Sequence, residues 1–226
     1  MKLHNPYSLV IFDWDGTLMD STGRIISAMQ AAATDVGFAV PSATQVKSII
    51  GLSMQAVLQT LFPATSDSQR ENFLKAYKYQ YIEGDTTPSP LFEGVIAQLE
   101  WLKSEQITIA VATGKARAGL SRVMQEVGLL NYFDFSICAD EAESKPHPQM
   151  VERLMQSANK QPHQTIVVGD SVHDLHMAKN AKVAAIGVTS GANLFDELTP
   201  YEPITILPQV AEFKDWLTCY NTSSCQ

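Results

Sequence analysis

Basic charge is scarce in this chain. Its 226 residues hold 16 Lys and Arg against 24 Asp and Glu, a net charge of −8 with histidine neutral. Nucleic-acid backbones demand clustered Lys and Arg, so a general nucleic-acid partner is excluded, and so is a polybasic membrane anchor. Cysteine is nearly missing as well. Cys138, Cys219 and Cys225 are odd in number and lack CxxC spacing, which excludes a disulfide framework and a zinc site and points to a reducing, cytoplasmic setting. Long apolar runs are absent: no stretch approaches the roughly 18 residues of a membrane span. His4, Asn5 and Pro6 interrupt the first residues before an apolar stretch develops, unlike a signal peptide. What the chain does have is apolar material, 45% of residues against 18% charged. That is sufficient for a real core and excludes wholesale disorder.

Short continuous apolar runs mark strands buried on both faces. They are Leu9 to Phe12, Ile107 to Ala112, Thr165 to Val168 and Val183 to Val188, with weaker runs at Phe135 to Cys138 and Ile204 to Ile206. Between them fall helical stripes such as Val95, Leu99 and Leu102, or Leu120, Val123, Met124 and Val127. Strand–helix alternation after about residue 90 predicts a doubly wound parallel-sheet α/β domain. Residues 18–88 break that rhythm. Ile25, Ile26, Met29 and Val36 mark one helix, Val57, Leu58 and Leu61 a second, Phe73, Leu74, Tyr77 and Tyr81 a third, and no strand lies among them. The division predicted is a core of residues 1–17 and 89–226 with a helical insert over 18–88. Asp85 to Pro90 reads as the linker back to the sheet, and the polar end from 221 to 226 is expected to fray.

Ligands of open α/β sheets bind at the carboxyl ends of the strands. After the first strand come Asp13, Asp15, Gly16 and Thr17. After the second come Thr113 and Gly114. An acidic loop leading to Lys145 follows the weak strand, and Asp170, Ser171 and Asp174 follow the strand at 165–168. Asp13 and Asp15, two apart on extended backbone, share a side of it. At roughly 4 Å and an effective dielectric near 20, two such carboxylates repel by about 4 kcal/mol. They persist where a metal or a shared proton offsets that cost. Oxygen-only donors suit Mg²⁺, which keeps waters and binds together with phosphate. Singly, each residue has an ordinary explanation: Thr113, Asp170 and Ser171 as helix caps, Lys145 as a solvated side chain. Their joint occurrence at successive strand ends does not.

Asp13-Trp14-Asp15-Gly16-Thr17-Leu18 with Asp20-Ser21 resembles the first motif of the haloacid dehalogenase superfamily of phosphohydrolases. Thr113 resembles the second motif, Lys145 the third, and Gly169-Asp170-Ser171 through Asp174 the fourth. The insert over 18–88 is similar to that superfamily's C1 helical cap, and the overall likeness is to phosphoglycolate phosphatase-like members. The resemblance implies Asp13 as nucleophile and Asp15 as general acid and base. It implies Mg²⁺ held by Asp13, Asp170 and the backbone carbonyl of Asp15, with Asp174 in support. Thr113, Gly114 and Lys145 would bind phosphate. Arg24, Gly51 and Ser53 are expected to face substrate from the cap.

The expected partner is a small phosphorylated metabolite, and the expected assembly a monomer or homodimer. Two other enzymes, a β-phosphoglucomutase-like phosphomutase and a pyrophosphatase, share all four motifs. A receiver-type signalling module uses similar residues but is shorter and has no cap.

Overall fold

A computed structural model of the chain describes residues 6–221. Its strands are β1 (Leu9–Phe12), β2 (Thr108–Ala112), β3 (Phe135–Ile137), β4 (Thr165–Gly169), β5 (Ala184–Val188) and β6 (Thr205–Leu207). They form one sheet in the order β3-β2-β1-β4-β5-β6, and every neighbouring pair is parallel. The chain thus builds outward from β1 to one side and then to the other, the doubly wound pattern expected from the sequence. The helices are α1 (Thr22–Asp35), α2 (Ala43–Lys47), α3 (Met54–Leu61), α4 (Asp67–Tyr79), α5 (Val95–Ser104), α6 (Arg117–Glu126), α7 (Gln149–Ala158), α8 (Val172–Asn180), α9 (Phe195–Leu198) and α10 (Phe213–Asn221).

β1 is central, with Leu9 opposite Thr108 on one side and Thr165 on the other. It is buried along its length because helices cover both faces. Alternate side chains divide between them. Val10 and Phe12 pack with Val111, Leu99 and Phe213, whereas Leu9 and Ile11 pack with Val167, Leu154 and Leu175. A third apolar cluster gathers Ile25, Met29, Val46, Leu58, Phe62 and Phe73 from α1 to α4. Two connections carry the chain out of the sheet and back, and they pair: the Asp20 amide donates to the Pro90 carbonyl at 2.8 Å and the Phe92 amide to the Leu18 carbonyl at 3.0 Å.

Some boundaries differ from the sequence reading. The stripe ending in Tyr81 is not one α-helix. α4 stops at Tyr79, and a π-helical turn, Gln80–Gly84, carries Tyr81 inward. Tyr77 and Tyr81 rings, 5.8 Å apart, keep the apolar stripe continuous through that change of pitch. The short helices α2 and α9, too brief for a periodic stripe, were not legible. Asn221 is the last residue of α10, and the rest of the stretch expected to fray lies outside the described residues, as do the first five.

Candidate active site

Asp13 stands one residue past β1, its amide bonded to the Val168 carbonyl at 2.9 Å. Strand pairing therefore fixes its backbone. Lys145 arrives from the loop before α7, and its Nζ donates to Asp13 Oδ1 at 2.5 Å and to Asp174 Oδ1 at 2.6 Å. The Lys145 side chain is 0% exposed. Asp174 lies in the first turn of α8 and forms a reciprocal cap with Ser171, whose hydroxyl donates to Asp174 Oδ2 at 2.6 Å. Asp170, one residue past β4, accepts from the Ala192 amide at 2.6 Å and from the Thr17 hydroxyl at 2.9 Å. Gly16 lies close by with φ +83°, and a Cβ there would stand 2.3 Å from Asp170 Oδ2. Glycine is required by both conformation and space.

Oxygens of Asp13, Asp170 and Asp174 lie within 4.8 Å of one another, all three residues buried. Three carboxylates against the one ammonium of Lys145 leave two negative charges in a desolvated spot. The electrostatics register this excess. Burial pushes the Asp13 carboxyl well above the usual range, opposed by Lys145 and reinforced by Asp174 and Asp170. Burial and Asp174 push Asp170 up to about 7. Burial also disfavours the Lys145 ammonium, yet Asp13 and Asp174 beside it hold its pKa above the ordinary lysine value. An all-oxygen donor set with two surplus charges fits a hard divalent cation such as Mg²⁺.

Asp15 points elsewhere. Its Oδ1 accepts from the Ser21 hydroxyl at 2.5 Å and pairs with Lys115 Nζ at 3.0 Å. Its carboxylate is outside the three-residue cluster, so any part it has in holding a metal falls to its backbone carbonyl. Thr113 is buried, and its hydroxyl oxygen accepts from the Lys115 amide at 3.1 Å, leaving the hydroxyl hydrogen to donate. The Gly114 amide has no acceptor among the described residues.

Residues 51–53, between α2 and α3, reach this edge. Carbonyl oxygens of Gly51 and Leu52 would stand 2.6 Å from a Cβ on Gly114, and a Cβ on Gly51 would stand 3.3 Å from the Ser171 hydroxyl. Ser53 caps α3 and its amide donates to the Ser144 hydroxyl at 2.9 Å. Gly51 and Ser53 thus lie beside the predicted phosphate-binding residues. Arg24 does not join them: its Nη2 donates to the Asp85 carbonyl at 2.7 Å, and its guanidinium rests 5.7 Å from the Tyr81 ring centre. A cleft of about 570 Å³ opens between α3 and the loop before Lys145, lined by Ser53, Met54, Gln55, Gly114, Glu143 and Ser144 among others. Sequence reading set Thr17 and Lys115 at strand ends without giving either a role, and read Tyr81 only as part of a helical stripe. The signal for Lys115 was its place two residues beyond Thr113 at a strand end.

Fold and site together define a doubly wound α/β protein with a buried acidic site at the carboxyl edge of its parallel sheet. The chain belongs to the haloacid dehalogenase-like hydrolase family, whose profile matches residues 10–188. It is 36% identical over 208 residues to "Probable phosphatase IndB" of Dickeya dadantii, covering 90% of each chain. It is 31% identical over 215 residues to a phosphoglycolate phosphatase of Vibrio vulnificus, covering 92% of this chain and 94% of that one. A solved hydrolase from Pseudomonas syringae shares the fold with a TM-score of 0.85 at 22% identity, over 94% of this chain and 98% of that one. No helix among the described residues is long and apolar enough to cross a membrane.

Proposed function

We propose that this hydrolase is a Mg²⁺-dependent phosphatase of small phosphomonoesters, acting through an aspartyl-phosphate on Asp13. The observation that carries the reading is the buried carboxylate cluster with two surplus negative charges, in which Lys145 holds Asp13 at the carboxyl edge of the sheet. Lys145 occupies Oδ1 of Asp13, and Oδ2 has only a 3.4 Å contact with the Thr17 hydroxyl. Oδ2 is therefore the oxygen left to attack. Its bond to phosphorus forms as the ester P–O bond breaks, and Asp15 gives the departing oxygen its proton. Asp15 then takes a proton from water, whose oxygen displaces Asp13 from phosphorus. The Thr113 hydroxyl, the Gly114 amide and the Lys145 ammonium hold phosphate oxygens. Asp13, Asp170 and the Asp15 carbonyl would bind Mg²⁺, which supplies charge neutralisation between an anionic nucleophile and an anionic phosphate.

Residues 18–88 serve in this reading as a cap over a core of 1–17 and 89–226. The paired connections at 18–20 and 90–92 support that division. Gly51 and Ser53 shape the entrance, and Arg24 acts within the cap by bracing Tyr81. Phosphoglycolate, named for the Vibrio relative, is the first candidate substrate. We place the protein in the cytoplasm, as a monomer or homodimer. The deciding experiment measures inorganic phosphate released from a panel of small esters with Mg²⁺. Hydrolysis abolished by chelation and restored by Mg²⁺ is expected. No hydrolysis of any ester, or a rate untouched by exhaustive chelation, refutes the reading; isomerisation of a sugar phosphate would favour the mutase.

A further inference from the structure

We infer that Lys115 and Tyr81 fix the orientation of Asp15, so that seating the helical insert completes the group that handles the leaving-group proton. The inference rests on the phosphatase reading above. Lys115 Nζ lies 3.0 Å from Oδ1 of Asp15, in an ion pair whose side chains are 12% and 10% exposed. The same Nζ donates to the Tyr81 hydroxyl at 3.1 Å and stands 4.7 Å from the centre of its ring. Ser21 also donates to Oδ1, at 2.5 Å. Oδ1 thus takes two donors, and Oδ2 takes none among the described residues. A carboxylate pinned through one oxygen presents the other in a fixed direction, and catalytic proton transfer depends on such geometry. Oδ2 is then the oxygen that meets the ester.

The three residues come from three places. Asp15 follows β1, Lys115 follows β2, and Tyr81 belongs to the π-helical turn at the end of the insert. Tyr81 is itself held firmly, with the Tyr77 ring at 5.8 Å and the guanidinium carbons of Arg24 and Arg122 at 5.7 and 5.8 Å. Insert and core meet elsewhere too, where Ser53 bonds Ser144 and the Gly51 and Leu52 carbonyls crowd Gly114. Those contacts touch the phosphate side. The link from Tyr81 through Lys115 ends on Asp15, as does the hydrogen bond from Ser21 at the start of the insert. With the insert displaced, Lys115 loses both the hydroxyl and the ring that hold it, and its ion pair with Asp15 is no longer fixed in direction.

The test compares Lys115→Met and Tyr81→Phe with wild type, in Mg²⁺, on ethyl phosphate and p-nitrophenyl phosphate. An alkoxide leaves only with a proton, whereas p-nitrophenolate needs little help. The constant to compare is kcat/KM, which reports the first transfer to Asp13 and not the later hydrolysis. General acids contribute roughly 10²- to 10⁴-fold, so Lys115→Met should lower kcat/KM for the alkyl ester by roughly 10- to 100-fold and for the aryl ester by less than about threefold. Tyr81→Phe keeps the ring and loses the hydroxyl; it should show the same selectivity at smaller size. Lys115→Arg, which keeps the charge, should recover part of the alkyl rate. Equal losses on both esters indicate a merely structural tie and overturn the inference, as does an unchanged alkyl rate. Should Lys115→Met fail to fold, Tyr81→Phe decides alone. A wild type that hydrolyses neither these two esters nor any other of the panel overturns the phosphatase reading and this inference together.

Discussion

Mg²⁺ added to metal-stripped protein should raise its thermal stability, and by more at pH 8 than at pH 5. The cause is the surplus of charge among Asp13, Asp170 and Asp174, which one lysine only partly compensates. Asp170 is pushed up to about 7 by burial first and by Asp174 second, with the Ala192 amide, Thr17 and Lys145 opposing. A carboxyl raised in the folded state keeps its proton there after the unfolded chain has released it. Its contribution to stability is therefore complete below about pH 4 and is lost as pH rises to about 7. The shift spans about three units at about 1.4 kcal/mol each, a ceiling of about 4 kcal/mol. Part of that has gone by pH 5, which leaves on the order of 2 to 3 kcal/mol between the two conditions. A chain of this length changes its Tm by about 2–4 °C per kcal/mol, so this group alone should separate them by roughly 5–10 °C. A divalent ion bound to the ionised cluster removes the penalty. Scanning calorimetry at both pH values, after chelation and dialysis and then with Mg²⁺ restored, reads the effect. A Mg²⁺ shift that is equal at the two pH values, or absent at pH 8, refutes the charge reasoning.

Asp13→Asn should abolish phosphate release while the protein stays folded. Because it removes one of the surplus buried charges, its metal-free form should also melt above metal-free wild type at pH 8. Lys145→Met leaves three buried carboxylates with no ammonium. Breaking such a pairing costs about 3–5 kcal/mol, so metal-free melting at pH 8 should drop sharply and recover in part at pH 5. Gly114→Ala puts a methyl 2.6 Å from two insert carbonyl oxygens. Overpacking of this kind costs about 1–3 kcal/mol, and steady-state kinetics should show a raised KM as the Gly51 loop is displaced; wild-type KM and Tm would show that the contact yields freely.

The sequence by itself determined a good deal. Continuous runs such as Leu9 to Phe12 are buried strands, because a sheet covered on both faces has no polar side to write into the pattern. The helices without strands between β1 and β2 were legible for the same reason: periodicity is local, and adjacent residues carry it. The site's acids were legible because strand ends are where open sheets bind ligands, so Asp13, Asp170 and Asp174 could be grouped before any distance was known. Only the tertiary structure decided who touches whom. Lys145 reaches Asp13 across 132 residues of chain and Asp174 across 29. That Lys115, after β2, stands beside Asp15, after β1, follows from the two strands being neighbours. Asp15, grouped with Asp13 by spacing, turns to Lys115 and Ser21 instead, and Lys115 is held by Tyr81 from an insert with its own core. Such contacts depend on the relative placement of separately folded layers, and no residue's immediate neighbours in the chain encode that placement.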